Sequence, residues 1–131
     1  MGDPETQVVI PRISSSLYEI FESCINKTLK SLSIEFDSRT FVTIVLASEG
    51  YPEKYQTGQD INNIDVSGND LLFHAGTAIE GSRHVVSGGR VLNVVGLGLN
   101  LREAIDNAYS FANKIQFKGK YFRKDIGQKG L

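Results

Sequence analysis

The chain has 131 residues, one domain's worth, with room for a core of its own. Hydrophobic residues at 40% and charged residues at 22% place it among globular domains and exclude a disordered or fibrous chain. A formal net charge of −1 provides neither the basic footprint of a nucleic-acid binder nor an acidic tail, so nucleic acid is not an expected partner.

Gly2-Asp3-Pro4-Glu5-Thr6-Gln7 reads as a helix start, with Asp3 as N-cap, Pro4 at the first helical position and Glu5 in the first turn. Met1 leads straight into this cap with nothing before it to pack on, which predicts a piece of a longer chain. Ser14, Ser15 and Ser16 open a second helix. In it Leu17, Ile20, Phe21, Cys24, Ile25 and Leu29 recur at threes and fours as one apolar stripe. Glu19, Glu22 and Lys27 face water. Cys24 is the single cysteine, so it is expected to be a buried free thiol in a reducing compartment.

Leu32–Phe36 suggests a short strand. The β-branched, nearly continuous apolar run Phe41–Ala47 predicts a strand covered on both faces. A Gly- and Pro-punctuated loop, Ala47-Ser48-Glu49-Gly50-Tyr51-Pro52, follows it. Residues 53–69 are polar, with turn signals at Asn62-Asn63 and Gly68-Asn69, and read as a surface connection. Leu71–Ala75 is another strand, closed by Gly76-Thr77, and a hairpin through Glu80-Gly81-Ser82 returns Arg83–Ser87. Gly88-Gly89 between apolar runs predicts a second hairpin, with Arg90 where the turn re-enters a strand. Leu101–Ile115 is an amphipathic helix capped by Asn100, and Phe117–Leu131 is basic and aromatic. Together these predict an α+β fold over residues 1–131 as a single domain: a mostly antiparallel sheet with two or three helices packed to one side. No apolar run approaches the ~20 residues that span a bilayer and no leader peptide is recognisable, so a soluble cytoplasmic protein away from membranes is expected.

The chemistry on offer is narrow. His74 and His84 are the only histidines, with no carboxylate or cysteine at a ligand spacing, so no metal site is expected in this chain. Ser87 is not in a nucleophile elbow, Gly96-Leu97-Gly98 lacks the third glycine of a dinucleotide loop, and no Walker loop occurs. No catalytic residue is assigned. What remains are anion-binding candidates: Arg90 with the Gly88 and Gly89 amides, His74 at a strand end, and Arg123 with Lys124. The same residues also read as a tight turn with a solvated arginine, a hydrogen-bonded core histidine and a solvated basic pair.

Five blocks add to that reading. Gly2-Asp3-Pro4-Glu5-Thr6-Gln7, Ala47-Ser48-Glu49-Gly50-Tyr51-Pro52, Phe73-His74-Ala75-Gly76-Thr77, Ser87-Gly88-Gly89-Arg90-Val91-Leu92 and Arg123-Lys124-Asp125-Ile126-Gly127 resemble, in order, the C-terminal part of the glycinamide ribonucleotide synthetases. These are the phosphoribosylamine–glycine ligases of the ATP-grasp superfamily. The resemblance implies that the parent enzyme joins 5-phosphoribosylamine to glycine with ATP and Mg²⁺ (or Mn²⁺), through a glycyl phosphate, early in purine biosynthesis. It implies that residues 1–12 are the tail of the preceding ATP-grasp segment, and that nucleotide and metal are bound mainly by residues outside this chain. By the same resemblance Arg90, with Gly88 and Gly89, grips the sugar phosphate and Asp3 orients the ribosylamine; His74, Thr77 and Lys124 are further substrate-binding candidates. The chain alone is expected to be inactive, with the ATP-grasp domains as its partner. It is also expected to expose apolar surface around Val8, Val9 and Ile10 that favours self-association. A different reading of the same residues is a non-catalytic docking module that complements a separate ATP-binding chain.

Overall fold

The computed structural model describes residues 2–66, 68 and 70–131. Two long strands make its centre, Thr40–Ser48 (β1) and Arg90–Gly98 (β5), paired antiparallel from Thr40 opposite Gly98 to Ala47 opposite Arg90, with a bulge between Leu46 and Ala47. Leu71–His74 (β2) adds to the free edge of β5, and Lys120–Tyr121 (β6) to the free edge of β1, giving the order β2-β5-β1-β6. A separate two-stranded hairpin joins Thr77–Glu80 (β3) to Arg83–Val86 (β4), and its tight turn places Gly81 at φ +63°.

The alternation of β1 and β5 decides what covers each face. Val42, Ile44 and Leu46 with Leu92 and Val94 form a buried cluster with Ala104, Ile105, Ala108, Phe111 and Ala112 of the long helix Leu101–Lys114 (α3). Gly96 and Gly98 let α3 come close, because a Cβ at either position would lie against helix backbone. Asn100 caps α3, its side chain accepting from Glu103 N at 2.9 Å while Glu103 Oε2 accepts from Leu99 N at 2.8 Å. At the other end the Lys120 ammonium donates to the carbonyls of Ala112, Asn113 and Ile115. Burial lowers the Lys120 pKa, while those carbonyls give its proton a place.

The short helix Thr6–Val9 (α1) packs against β1 and β5. Val8 and Val9 line a cleft with Phe41, whose side chain alternates away from the α3 face. Helix Leu17–Ile25 (α2) stands apart, and its substantial packing is with the 3-10 turn Leu29–Ser31.

Several expectations fail for identifiable reasons. Asp3 is not a cap: Glu5 precedes α1, the Thr6 amide and hydroxyl both donate to Gly2 O, and the Asp3 carboxylate is engaged elsewhere. Leu32–Phe36 is not a strand, only Phe36 bridging Ile13, because no further strand lies alongside. Cys24 is exposed, since the stripe that carries it is uncovered. Ser87–Gly89 is not a hairpin turn but a crossover between sheets, β4 pairing with β3 and β5 with β1 and β2. The polar segment 53–69 is more than a surface connection: Ile61 is buried in the core, and Gln59, Ile61 and Asn62 bond backbone to Val86, His84 and Gln116. Asn63 and Gly68 adopt positive φ as turn residues, whereas Asn69 lies outside the described residues.

Candidate functional site

One end of the main sheet gathers most of the expected site. Arg90 begins β5, Ala47 opposite it is near the end of β1, and His74 ends β2 opposite Leu92. Chain connectivity locks this corner: Ala75 N donates to Val91 O at 3.0 Å and Gly76 N to Arg90 O at 2.8 Å. Gly76 then accepts the amides of both Ser87 and Gly88, at 2.8 and 3.1 Å. The backbones of Gly76 and Gly88 approach so closely that a Cβ on Gly76 would sit 2.6 Å from Gly88 Cα.

Arg90 reaches out of this corner to Asp3. Its Nη2 lies 3.1 Å from Asp3 Oδ2, and Nη1 donates to the Asp3 carbonyl at 3.3 Å. Both side chains keep about two fifths of their surface in water, 40% and 39%. The pair therefore joins the first residues of the chain to the start of β5 and still faces solvent.

His74 Nδ1 is 2.9 Å from Thr77 Oγ1, and its ring centroid is 5.4 Å from that of His84. Loss of water around the ring lowers the His74 pKa, with the neighbouring His84 adding to the effect. A neutral His74 with one nitrogen tied to Thr77 leaves the other free to donate or accept.

Two expected contributors are placed less openly. The Gly88 amide donates to Gly76 O, and Gly89 is buried under Tyr51, with a Cβ there only 3.0 Å from Tyr55 Cε1. Both glycines sit at close approaches that a Cβ would obstruct. Lys124 belongs to the segment running along α3, where Gly127 packs on Ile105 and the Tyr109 hydroxyl donates to Arg123 O. Its neighbours Arg123 and Asp125 pair with each other at 2.6 Å, and no hydrogen bond or ion pair among the described residues links Lys124 to Asp3, His74 or Arg90.

Sequence reasoning missed the supports. Tyr51 and Tyr55 close over Gly89, Ser48 N donates to Gly89 O at 2.8 Å, and Asn93 lies 1% exposed with neither side-chain amide atom bonded among the described residues. Gln7 Oε1 is likewise buried and unpaired. The available signals were a glycine directly after a strand at Gly76 and an asparagine inside an otherwise apolar strand run.

A family model described as "Phosphoribosylglycinamide synthetase, C domain" matches residues 41–129, which include β1 from its second residue, β2 to β6 and α3. The chain belongs to this family. Among relatives of this synthetase domain, the bifunctional purine biosynthetic protein purD of Dictyostelium discoideum is 43% identical over 135 aligned residues, covering 100% of this chain and 17% of the relative. The phosphoribosylamine–glycine ligase of Chlorobaculum tepidum is also 43% identical, covering 100% of this chain and 32% of the relative. A crystal structure of the phosphoribosylamine–glycine ligase of Thermotoga maritima superposes with a TM-score of 0.72 at 33% identity, covering 95% of this chain and 31% of that one. The expected α+β class is thus the synthetase C-domain fold, and the chain spans about a third of the length of the single-function relatives.

Proposed function

We propose that this chain is the C-terminal portion of a phosphoribosylamine–glycine ligase acting in purine biosynthesis, with residues 1–131 as one unit and residues 1–12 as the tail of an ATP-grasp segment. Its own task is to receive 5-phosphoribosylamine: Arg90 takes the phosphate, Asp3 faces the ribosylamine, and His74 with Thr77 offers a neutral polar contact. The observation that carries this reading is the solvent-facing Asp3–Arg90 pair. A substrate with an anion at one end and an amine at the other can replace that pair contact for contact. The exchange is favourable in size, because an exposed ion pair is worth about 0–1 kcal/mol, whereas each hydrogen bond to a charged group contributes about 1.5–3 kcal/mol. Lys124 is a further candidate for the phosphate, although no hydrogen bond or ion pair among the described residues links it to Asp3, His74 or Arg90.

ATP, Mg²⁺ and glycine belong to the proposed parent enzyme. Among the described residues no group of three or more His, Cys, Asp or Glu is gathered, and no step is routed through a metal here. The contribution of these residues is to hold and orient the amine, which matters because an acyl phosphate is lost to water unless the nucleophile is already in place. A cytoplasmic location accompanies this role; among the described residues no helix is long and apolar enough to cross a membrane.

The test is kinetic. In a full-length chimaera whose C-terminal third is this chain and whose remainder comes from the Chlorobaculum ligase, Arg90→Ala is expected to lower kcat/KM for phosphoribosylamine-dependent ADP formation by tens- to several hundred-fold. That corresponds to about 2–4 kcal/mol. Unchanged kinetics would remove Arg90 from the site.

A further inference from the structure

The apolar stripe of α2 is largely uncovered: Leu17 and Ile20 are half-buried, and Phe21, Cys24 and Ile25 are exposed. No residue of α2 is buried, and Phe21 and Ile25 are 59% and 80% exposed, with Cys24 open between them. The segment that carries α2 leaves and rejoins the rest of the chain at one place: Ser14 N donates to Glu35 O at 2.9 Å, Asp37 N to Arg12 O at 2.7 Å, and Ile13 bridges Phe36. Residues 14–35 thus form an arm closed at its base, holding α2 and the 3-10 turn Leu29–Ser31. At that base Val9 and Phe36 are exposed as well. A nine-residue amphipathic helix is not maintained in water by propensity, and a contiguous exposed apolar stripe marks a surface that something covers.

What covers it follows from how the relatives are built. The C-domain model begins at residue 41, so the arm lies outside it. Yet the full-length relatives align over the whole of this chain, arm included, and this chain accounts for only 32% of the Chlorobaculum ligase. The arm therefore falls between the synthetase C domain and the larger remainder of such a polypeptide. We propose that the face formed by Leu17, Ile20, Phe21, Cys24 and Ile25 docks into that remainder as part of its core, and that the arm is structurally a piece of the neighbouring unit, joined to this one at its base where Ser14 meets Glu35 and Arg12 meets Asp37. This rests on the ligase reading above. It extends that reading by naming the surface that joins the two parts.

The test uses Cys24 as a reporter, read by mass spectrometry of its own peptide after maleimide labelling. In the 131-residue chain Cys24 labels as fast as an exposed thiol. In the full-length chimaera with the Chlorobaculum remainder it is expected to label at least 50-fold more slowly, and Phe21→Glu with Ile25→Glu is expected to restore fast labelling. The same double substitution in the 131-residue chain should leave its melting temperature unchanged, since both side chains are solvent-exposed there. A chimaera that turns over but labels as fast as the isolated chain overturns the docking surface and leaves the ligase reading intact. Protection of Cys24 in the isolated chain that grows with concentration, matched by dimer in sedimentation, assigns the face to a second copy and also overturns the proposal. A protected Cys24 in a chimaera with no phosphoribosylamine-dependent turnover supports the docking and counts against the ligase reading alone.

Discussion

Gly96 offers the sharpest test of how the sheet and α3 are fitted together. It lies opposite Val42 in the middle of β5, on the face that α3 covers. A Cβ added there would be 2.6 Å from Ala108 Cα and 2.7 Å from Ala104 O, and closer still to Ala108 N, against an ordinary contact of 3.4–4 Å. These are backbone atoms in the middle of a fourteen-residue helix, so no rotamer can yield. Gly96→Ala must lift α3 by roughly 1 Å, and a gap of that size forfeits about a quarter to a half of the dispersion attraction across it. The side chains affected include Ile105 and Phe111, which with Ala104, Ala108 and Ala112 make the helix side of the core. Overpacking relieved by side-chain movement costs about 1–3 kcal/mol; with backbone on both sides we expect about 3–5 kcal/mol, in the exceptional tail for single substitutions. Urea denaturation is the assay. With a slope of about 1–3 kcal/mol per M, the midpoint should fall by roughly 2 M with the slope preserved. Gly81→Ala is the control: it has open space around it and a φ of +63°, so only backbone strain of about 1–2 kcal/mol is added. Equal midpoints for the two variants would refute the close approach as the reason for glycine at 96.

Two further outcomes follow from buried or shielded polar groups. Asn93→Leu is expected to raise stability by about 1–3 kcal/mol, seen as a higher urea midpoint, because it replaces two unpaired buried amide atoms by apolar surface between Phe73 and Val45. His74 is expected to titrate below its ordinary 6.5 in an NMR pH series, and His84→Gln should move the midpoint only part of the way back, since desolvation is the larger cause. The sign for stability is fixed by that direction. The unfolded chain binds the His74 proton more tightly, so the contribution of the neutral ring is complete above pH 6.5 and is lost as pH falls toward the lowered folded value.

Where local chemistry alone decides structure, the sequence was readable. The Asn100 cap, the threes-and-fours of α3 and the turn at Gly81 all follow from residue type and spacing, and all are present. The failures share one cause: pairing partners distant in sequence. Ser87-Gly88-Gly89 has the composition of a hairpin, yet β5 finds β1 and β2 instead of β4, and nothing local to the turn encodes that choice. The Gly88 amide was assigned to an anion, and its acceptor in the fold, Gly76 O, is twelve residues away in sequence and meets it only across the crossover. Cys24 was placed inside because an apolar stripe implies a covering surface, and periodicity reports the stripe without reporting whether this stretch of chain supplies the cover.

The position of the Asp3–Arg90 contact ties these threads together. Arg90 is held by the sheet: its carbonyl accepts from Gly76 and its neighbours pair with β1 and β2, so the guanidinium projects from a rigid corner. Asp3 lies outside the residues matched by the C-domain model, on the segment that continues through α1 into the α2 arm. The two groups proposed to grip one substrate thus come from outside and inside the matched C domain, and α1, which packs on β1 and β5, ties the segment carrying Asp3 to the sheet carrying Arg90. Loosening the arm by Phe21→Glu and Ile25→Glu reaches Asp3 only through Ile13, Arg12 and α1, without touching either residue of the pair. The chimaera should therefore show a rise in KM for phosphoribosylamine on that double substitution, of the same sign as Arg90→Ala and smaller, because the guanidinium stays in place. A KM that is unaltered while Cys24 becomes reactive would show that seating the arm and aligning Asp3 are independent events.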